Sequence, residues 1–170
     1  MKGISEKEAL ELLGCEGPER LELFSRAGAL RLRTRGNWVD PCAIINAKSG
    51  HCSQDCAFCA QSSRSAATID RYPLKAAETL MASAREASEF GAARISLVTS
   101  GRTVSAPESL STLGDVIQSI RDEHGTKACA SLGLLDRDAL SVLMDRGLIR
   151  YHHNLETAES FYGEICTTRS

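Results

Sequence analysis

Long apolar runs are missing from this sequence of 170 residues. The longest, Cys42 to Ala47 and Ile95 to Val98, fall far short of the roughly 18 to 20 residues that a transmembrane helix requires. The N-terminus, Met1-Lys-Gly-Ile-Ser-Glu-Lys-Glu8, has no apolar h-region of the kind a secretory signal carries. An excess of one charge is missing too. Lys plus Arg number 20 and Asp plus Glu 22, for a net charge of −2, so there is no electrostatic reason to expect a nucleic-acid or anionic-membrane partner. No low-complexity tract and no Pro/Gly/Ser-rich linker splits the chain. With 42% apolar residues, the expectation is a cytoplasmic protein with one ordinary globular core.

What is present in excess is cysteine. There are seven, and Cys52, Cys56 and Cys59 crowd into one short segment. An odd count in a chain without a secretory signal argues against a disulfide framework and for metal ligands or reactive thiols.

Apolar periodicity organises the rest. Glu6 to Leu13 and Pro18 to Arg33 carry helical spacing, with Pro18 suited to a helix start and Gly14 and Gly36 to stops. Trp38 to Asn46 predicts a buried strand, and Pro73 opens an Ala-rich helix closed by Gly91. Arg94–Thr99 then predicts a strand, Glu108 to His124 a helix and Lys127–Leu132 another strand. They are followed by a helix capped by Asp136, a strand from Leu148 to Asn154 and a short helix from Thr157 to Gly163. Strands alternating with helices every 25 to 35 residues or so predict βαβ units around a parallel sheet, whose strand C-termini and following loops carry function. The cysteine segment, Thr99-Ser-Gly101 and His153-Asn-Leu-Glu156 all fall at such ends and are expected on one rim.

Gly50-His-Cys-Ser-Gln-Asp-Cys-Ala-Phe-Cys-Ala60 spaces its thiols C-x3-C-x2-C on a loop of small and polar residues. Three thiolates from one loop can wrap one inorganic object. A structural zinc site takes four closed ligands, and with no second C-x2-C pair only His51 or a remote cysteine could complete it. A ferredoxin cubane also takes four cysteines. Three ligands leave an open coordination position, as a catalytic metal site requires. Packed structural thiols are the remaining alternative, disfavoured by Ser53, Gln54 and Asp55.

The C-x3-C-x-aromatic-C pattern after the first strand resembles the radical S-adenosylmethionine (SAM) family. Within it, several stretches resemble the biotin synthase branch: Cys42 to Ser63, Arg94 to Gly101, Ala128 to Gly133, Tyr151-His-His-Asn-Leu-Glu-Thr157 and Ile165-Cys-Thr-Thr168. The resemblance implies an α/β fold, a partial (β/α) TIM-type barrel of about the first four βα units (37–170) behind an N-terminal helical segment (1–36). It implies a 4Fe-4S cluster on Cys52, Cys56 and Cys59, with SAM beside Phe58, Asn154 and Glu156. Glu156 falls where a carboxylate holds the SAM ribose, whose two hydroxyls a carboxylate can accept. The implied reaction is sulfur insertion into dethiobiotin, driven by a radical made from SAM with an electron from a donor protein, in a homodimer.

The sequence also departs from that branch. An auxiliary cluster, 2Fe-2S in its best-known form, is held there by three Cys and an Arg on successive strands; Cys129 matches one of them, but Ser96 stands where the first Cys is expected. Cys166, an additional thiol, is the candidate substitute ligand. The other two ligands lie on strands that these 170 residues do not supply, about two-thirds of the roughly 250 a full barrel takes. The expectation is therefore an incomplete chain. Two alternatives stay open: a relative of the same branch without an auxiliary cluster, such as a hydrogenase-maturation or methylornithine-forming enzyme, or an inactive iron-sulfur-binding fragment.

Overall fold

A computed structural model describes residues 3–168, which divide into two compact units between Val39 and Asp40. The first holds α1 (Glu6–Leu13) and α2 (Gly17–Arg35). Ser5 starts α1 with a reciprocal cap, its hydroxyl accepting from the Glu8 N–H while the Glu8 carboxylate accepts from the Ser5 N–H at 2.7 Å. Neither helix contains a buried residue.

The second unit is a sheet of four parallel strands in the order β1 (Cys42–Lys48), β2 (Arg94–Thr99), β3 (Lys127–Ser131) and β4 (Leu148–Tyr151). Helices α3 (Ala77–Glu89), α4 (Pro107–Asp122) and α5 (Arg137–Asp145) link successive strands. Leu113, Val116, Ile117 and Ile120 form a buried stripe on α4, spaced for one helix face, and join Leu80, Ile95, Leu97 and Leu143 in the core. As the alternation of a strand requires, Ile45, Ala47, Ile95, Leu97, Ala128 and Ala130 are buried in that core. Ile44, Ser96, Cys129 and Arg150 lie side by side in register on the other face.

Four elements differ most from the sequence expectation. β1 begins at Cys42 rather than Trp38, which is 72% exposed. Pro41 cannot donate to the ladder and offers only its carbonyl, to the Ala93 N–H at 2.8 Å. The helix expected from Pro73 begins at Ala77, because the Lys75 N–H is committed to Ala47 O at 2.9 Å and Tyr72 bridges Ser49. β4 stops at Tyr151 rather than Asn154; the His152 N–H makes a last bond to Ala130 O at 2.8 Å, and His152 and His153 lie beyond the strand. The final helix breaks into a 3₁₀ turn (Glu159–Phe161) and the short α6 (Tyr162–Ile165).

Candidate functional site

Each of the first three strands ends two residues before a glycine with positive φ: Gly50 (74°), Gly101 (116°) and Gly133 (82°). Glycine adopts that conformation without steric cost. At Gly133 a Cβ would also fall 2.2 Å from the Arg102 carbonyl oxygen, so the second and third loops touch through main chain. The first two loops are joined by Ser100, whose N–H reaches Lys48 O at 3.0 Å and whose hydroxyl reaches Gly50 O at 2.6 Å.

These exits frame the cysteine loop. The Cys52 N–H donates to Gln61 O at 3.2 Å and its carbonyl accepts from the Ser63 N–H at 2.8 Å, which pins the buried first cysteine at the loop's neck. The Gln61 side-chain carbonyl accepts from the Gly50 N–H and the Ser49 hydroxyl, and the Ser62 hydroxyl donates to Gln54 O at 2.6 Å. The Cys59 N–H closes a turn on Cys56 O at 3.0 Å. A cleft of about 250 Å³ results. Cys52, Cys56, Phe58 and Cys59 line it from this loop, Ser100, Gly101, Ser131 and Gly133 from the next two exits, and His153, Asn154 and Glu156 from the segment after β4. All six residues expected at the first cluster and SAM thus share one cleft.

The three thiols line the cleft without converging: among the described residues no group of three His, Cys, Asp or Glu side chains stands ready around one metal ion. Their chemistry fits an iron-sulfur cluster, since thiolates are its ordinary protein ligands, and the loop supplies three of them to one cavity. His51, which the sequence allowed as a fourth zinc ligand, is exposed and does not line the cleft. Glu156 is not at a helix start. It sits in a loop at φ 68°, a left-handed conformation costing a non-glycine residue about 1–2 kcal/mol. Phe58 is 58% exposed.

Asp55 is the residue that sequence reasoning passed over. Its carboxylate accepts from the N–H groups of Thr167 and Thr168 at 3.0 and 3.1 Å and from both threonine hydroxyls, and it pairs with Arg64 at 3.0 Å. Hydrogen bonds from Thr167, then from Thr168, hold its pKa far below the usual carboxylate value. The clasp docks the segment after α6 on the cysteine loop, and the Ala57 N–H adds a bond to Ile165 O at 2.8 Å. Only an exposed-looking Asp beside a cysteine and two threonines more than a hundred residues on signal it in sequence.

Cys166 arrives with that segment. Its buried sulfur lies 3.6 Å from the Cys56 sulfur and 3.3 Å from an Asp55 carboxylate oxygen. Its neighbours are thus those of the first thiol loop, whereas the auxiliary-cluster expectation would have it beside Cys129. Ser96 and Cys129 are register partners on β2 and β3, both buried, with Arg150 opposite Cys129 on β4. Burial pushes the Cys129 thiol pKa up and the Arg150 charge pulls against it. That row sets one hydroxyl and one thiol side by side, with a guanidinium next to them.

The sequence pattern of the radical SAM superfamily matches residues 47–170. A biotin synthase of Trichlorobacter lovleyi is 45% identical over 97% of this chain and 50% of its own length. One of Thermotoga neapolitana is 46% identical over 80% of this chain and 48% of its own. The chain spans about half the length of the curated relatives it matches. Among solved structures, methylornithine synthase superposes with a TM-score of 0.83 at 23% identity, over 99% of this chain and 49% of that one. The hydrogenase maturase HydG gives 0.70 at 20%, over 97% and 37%. These two establish the partial (β/α) barrel fold. With the superfamily pattern running from the end of β1 through the cysteine loop to the last residue, the chain belongs to the radical SAM superfamily.

Proposed function

We propose that this chain carries the SAM-cleaving half of a biotin synthase, a radical SAM sulfurtransferase that inserts sulfur into dethiobiotin. The observation that carries the reading is the shared cleft: residues from the loop after β1 and from the segment after β4, about a hundred positions apart, line it together. The relatives at 43–46% identity supply the chemical direction, because those proteins are biotin synthases. When bound, the cluster and SAM supply a 5'-deoxyadenosyl radical able to take hydrogen from unactivated carbon.

The chain's own residues do the rest. Cys52, Cys56 and Cys59 would ligate the cluster, and three thiolates rather than four would leave it able to take SAM as a further ligand. Phe58 offers an aromatic face to the adenine, Asn154 a side-chain amide to SAM or substrate, and Glu156 a carboxylate to the ribose hydroxyls. The place of Glu156 on the lining of the cleft, at a left-handed backbone position, supports that role. Cys129 and Ser96 contribute to the auxiliary cluster. An electron-donor protein, a cytoplasmic location and a homodimer complete the proposal; no helix among the described residues is long and apolar enough to cross a membrane.

Anaerobic reconstitution with iron and sulfide tests this. The expected result is about four irons per chain, as one cubane holds, with uptake abolished by Cys52→Ala, Cys56→Ala or Cys59→Ala and 5'-deoxyadenosine formed from SAM and reductant. A single bound zinc in place of iron would overturn the proposal.

A further inference from the structure

We propose that Cys56 and Cys166 form a redox modification site: in the cluster-free chain they close into a disulfide on meeting an oxidised low-molecular-weight disulfide, which removes Cys56 from the ligand set. The consequence for cluster loading rests on the reading of Cys56 as a cluster ligand; the disulfide itself does not.

The two sulfurs are already in contact at 3.6 Å. More telling is how they are held, because the residues on either side of Cys56 are bonded to those on either side of Cys166. On one side the Ala57 N–H donates to Ile165 O at 2.8 Å. On the other, the Asp55 carboxylate accepts from the Thr167 N–H at 3.0 Å, and the Asp55 N–H donates to the Thr168 hydroxyl at 3.0 Å. This clamp keeps the thiols together, and proximity of that kind makes the second, intramolecular step of thiol–disulfide exchange efficient. Cys166 is 3% exposed and Cys56 only partly buried, so Cys56 is the thiol an external disulfide reaches first. Cys166 does not line the cleft of the three thiols: it lines an adjacent pocket that shares His153 and Asn154 with that cleft, and it lies outside the row of Ser96 and Cys129.

With glutathione disulfide as oxidant the exchange balances. The Cys56 thiol gives up its proton and attacks one glutathione sulfur; the glutathione S–S bond breaks, a mixed disulfide forms on Cys56, and the first glutathione leaves as a thiol. The Cys166 thiol then gives up its proton and attacks the Cys56 sulfur, which forms the protein disulfide and releases the second glutathione. Two protein thiols are oxidised and one glutathione disulfide is reduced to two thiols.

Peptide mapping of the whole apo chain reads this directly. After treatment with glutathione disulfide, alkylation and tryptic cleavage without reductant, residues 49–64 should be joined to residues 151–169, with fragmentation placing the bond at Cys56 and Cys166. A bond within 49–64, or from Cys52 or Cys59 to Cys166, would overturn the proposal. Iron uptake supplies the second readout. The oxidised wild-type chain should lose uptake, recover it with dithiothreitol and carry no glutathione on Cys56, whereas oxidised Cys166→Ala and Cys166→Ser chains, which lack the resolving thiol, should keep glutathione on Cys56 as the mixed disulfide. A wild-type chain that keeps glutathione on Cys56 as the variants do would also overturn it. Failure of the reduced wild-type chain to take up iron would count against the cluster reading instead, since the mapped disulfide stands without it.

Discussion

Successive residues of the same strands meet two different environments. On the helix side, Ile95, Leu97, Ala130 and Ala47 are completely buried and form a closed apolar layer with α3, α4 and α5. On the other side Ile44 is 71% exposed and Asn46 and Arg150 are exposed, while Ser96 and Cys129 are buried between them. One face holds the unit together, and the other, with the rim above it, displays hydroxyl, thiol and guanidinium groups in register. Stability and chemistry are therefore separable by substitution, one residue apart in the chain.

The largest effect is expected on the helix side. Leu97→Ala should cost about 2–5 kcal/mol in urea unfolding, the range for emptying a closed core site. Ile44→Ala on the opposite face should stay within about 0.5 kcal/mol, and equal costs would erase the distinction between the faces. At the rim, Gly133→Ala should cost at least about 1 kcal/mol, because it combines a positive φ with a Cβ placed against the Arg102 carbonyl. Gly91→Ala shares the positive φ but meets open space, so it should be the milder of the two in a thermal melt.

Asp55 sharpens the contrast by pH. Its folded pKa is lowered, so the stability it adds is fully present above the ordinary carboxylate pKa of about 4 and is lost as pH falls toward the folded value. Asp55→Asn should lower the melting temperature at neutral pH and flatten the fall in stability below about pH 4; an unchanged acid limb would remove Asp55 from the account. Away from both faces, Asp136→Ala should cost about 1 kcal/mol by removing the cap whose carboxylate accepts from the Ala139 N–H at 2.8 Å.

Local signals explain what was legible. Arg94–Thr99 runs as a strand over the residues expected, and Asp136 caps α5 as its side chain suggested. In a parallel sheet, knowing where strands end is enough to place their loops on one rim, and so the cysteine loop and the 153–156 segment could be brought together without coordinates. Non-local bonds explain the rest. Apolar Trp38 and Val39 read as strand, but Pro41 sets where pairing starts; Pro73 read as a helix start, but β1 claims the backbone that follows it. The docking of Thr167 and Thr168 on Asp55 spans more than a hundred residues and follows no period. It is also what carries Cys166 to Cys56.

The three glycine exits have a consequence for what such a rim can become. Because main-chain conformation and main-chain contact set the spacing of the first three loops, the aperture above the sheet keeps its dimensions while the side chains around it drift. Residues such as Phe58, Asn154 or Glu156 can then be exchanged to admit a different molecule without rebuilding the frame that presents them, whereas a single methyl group at Gly133 would disturb it.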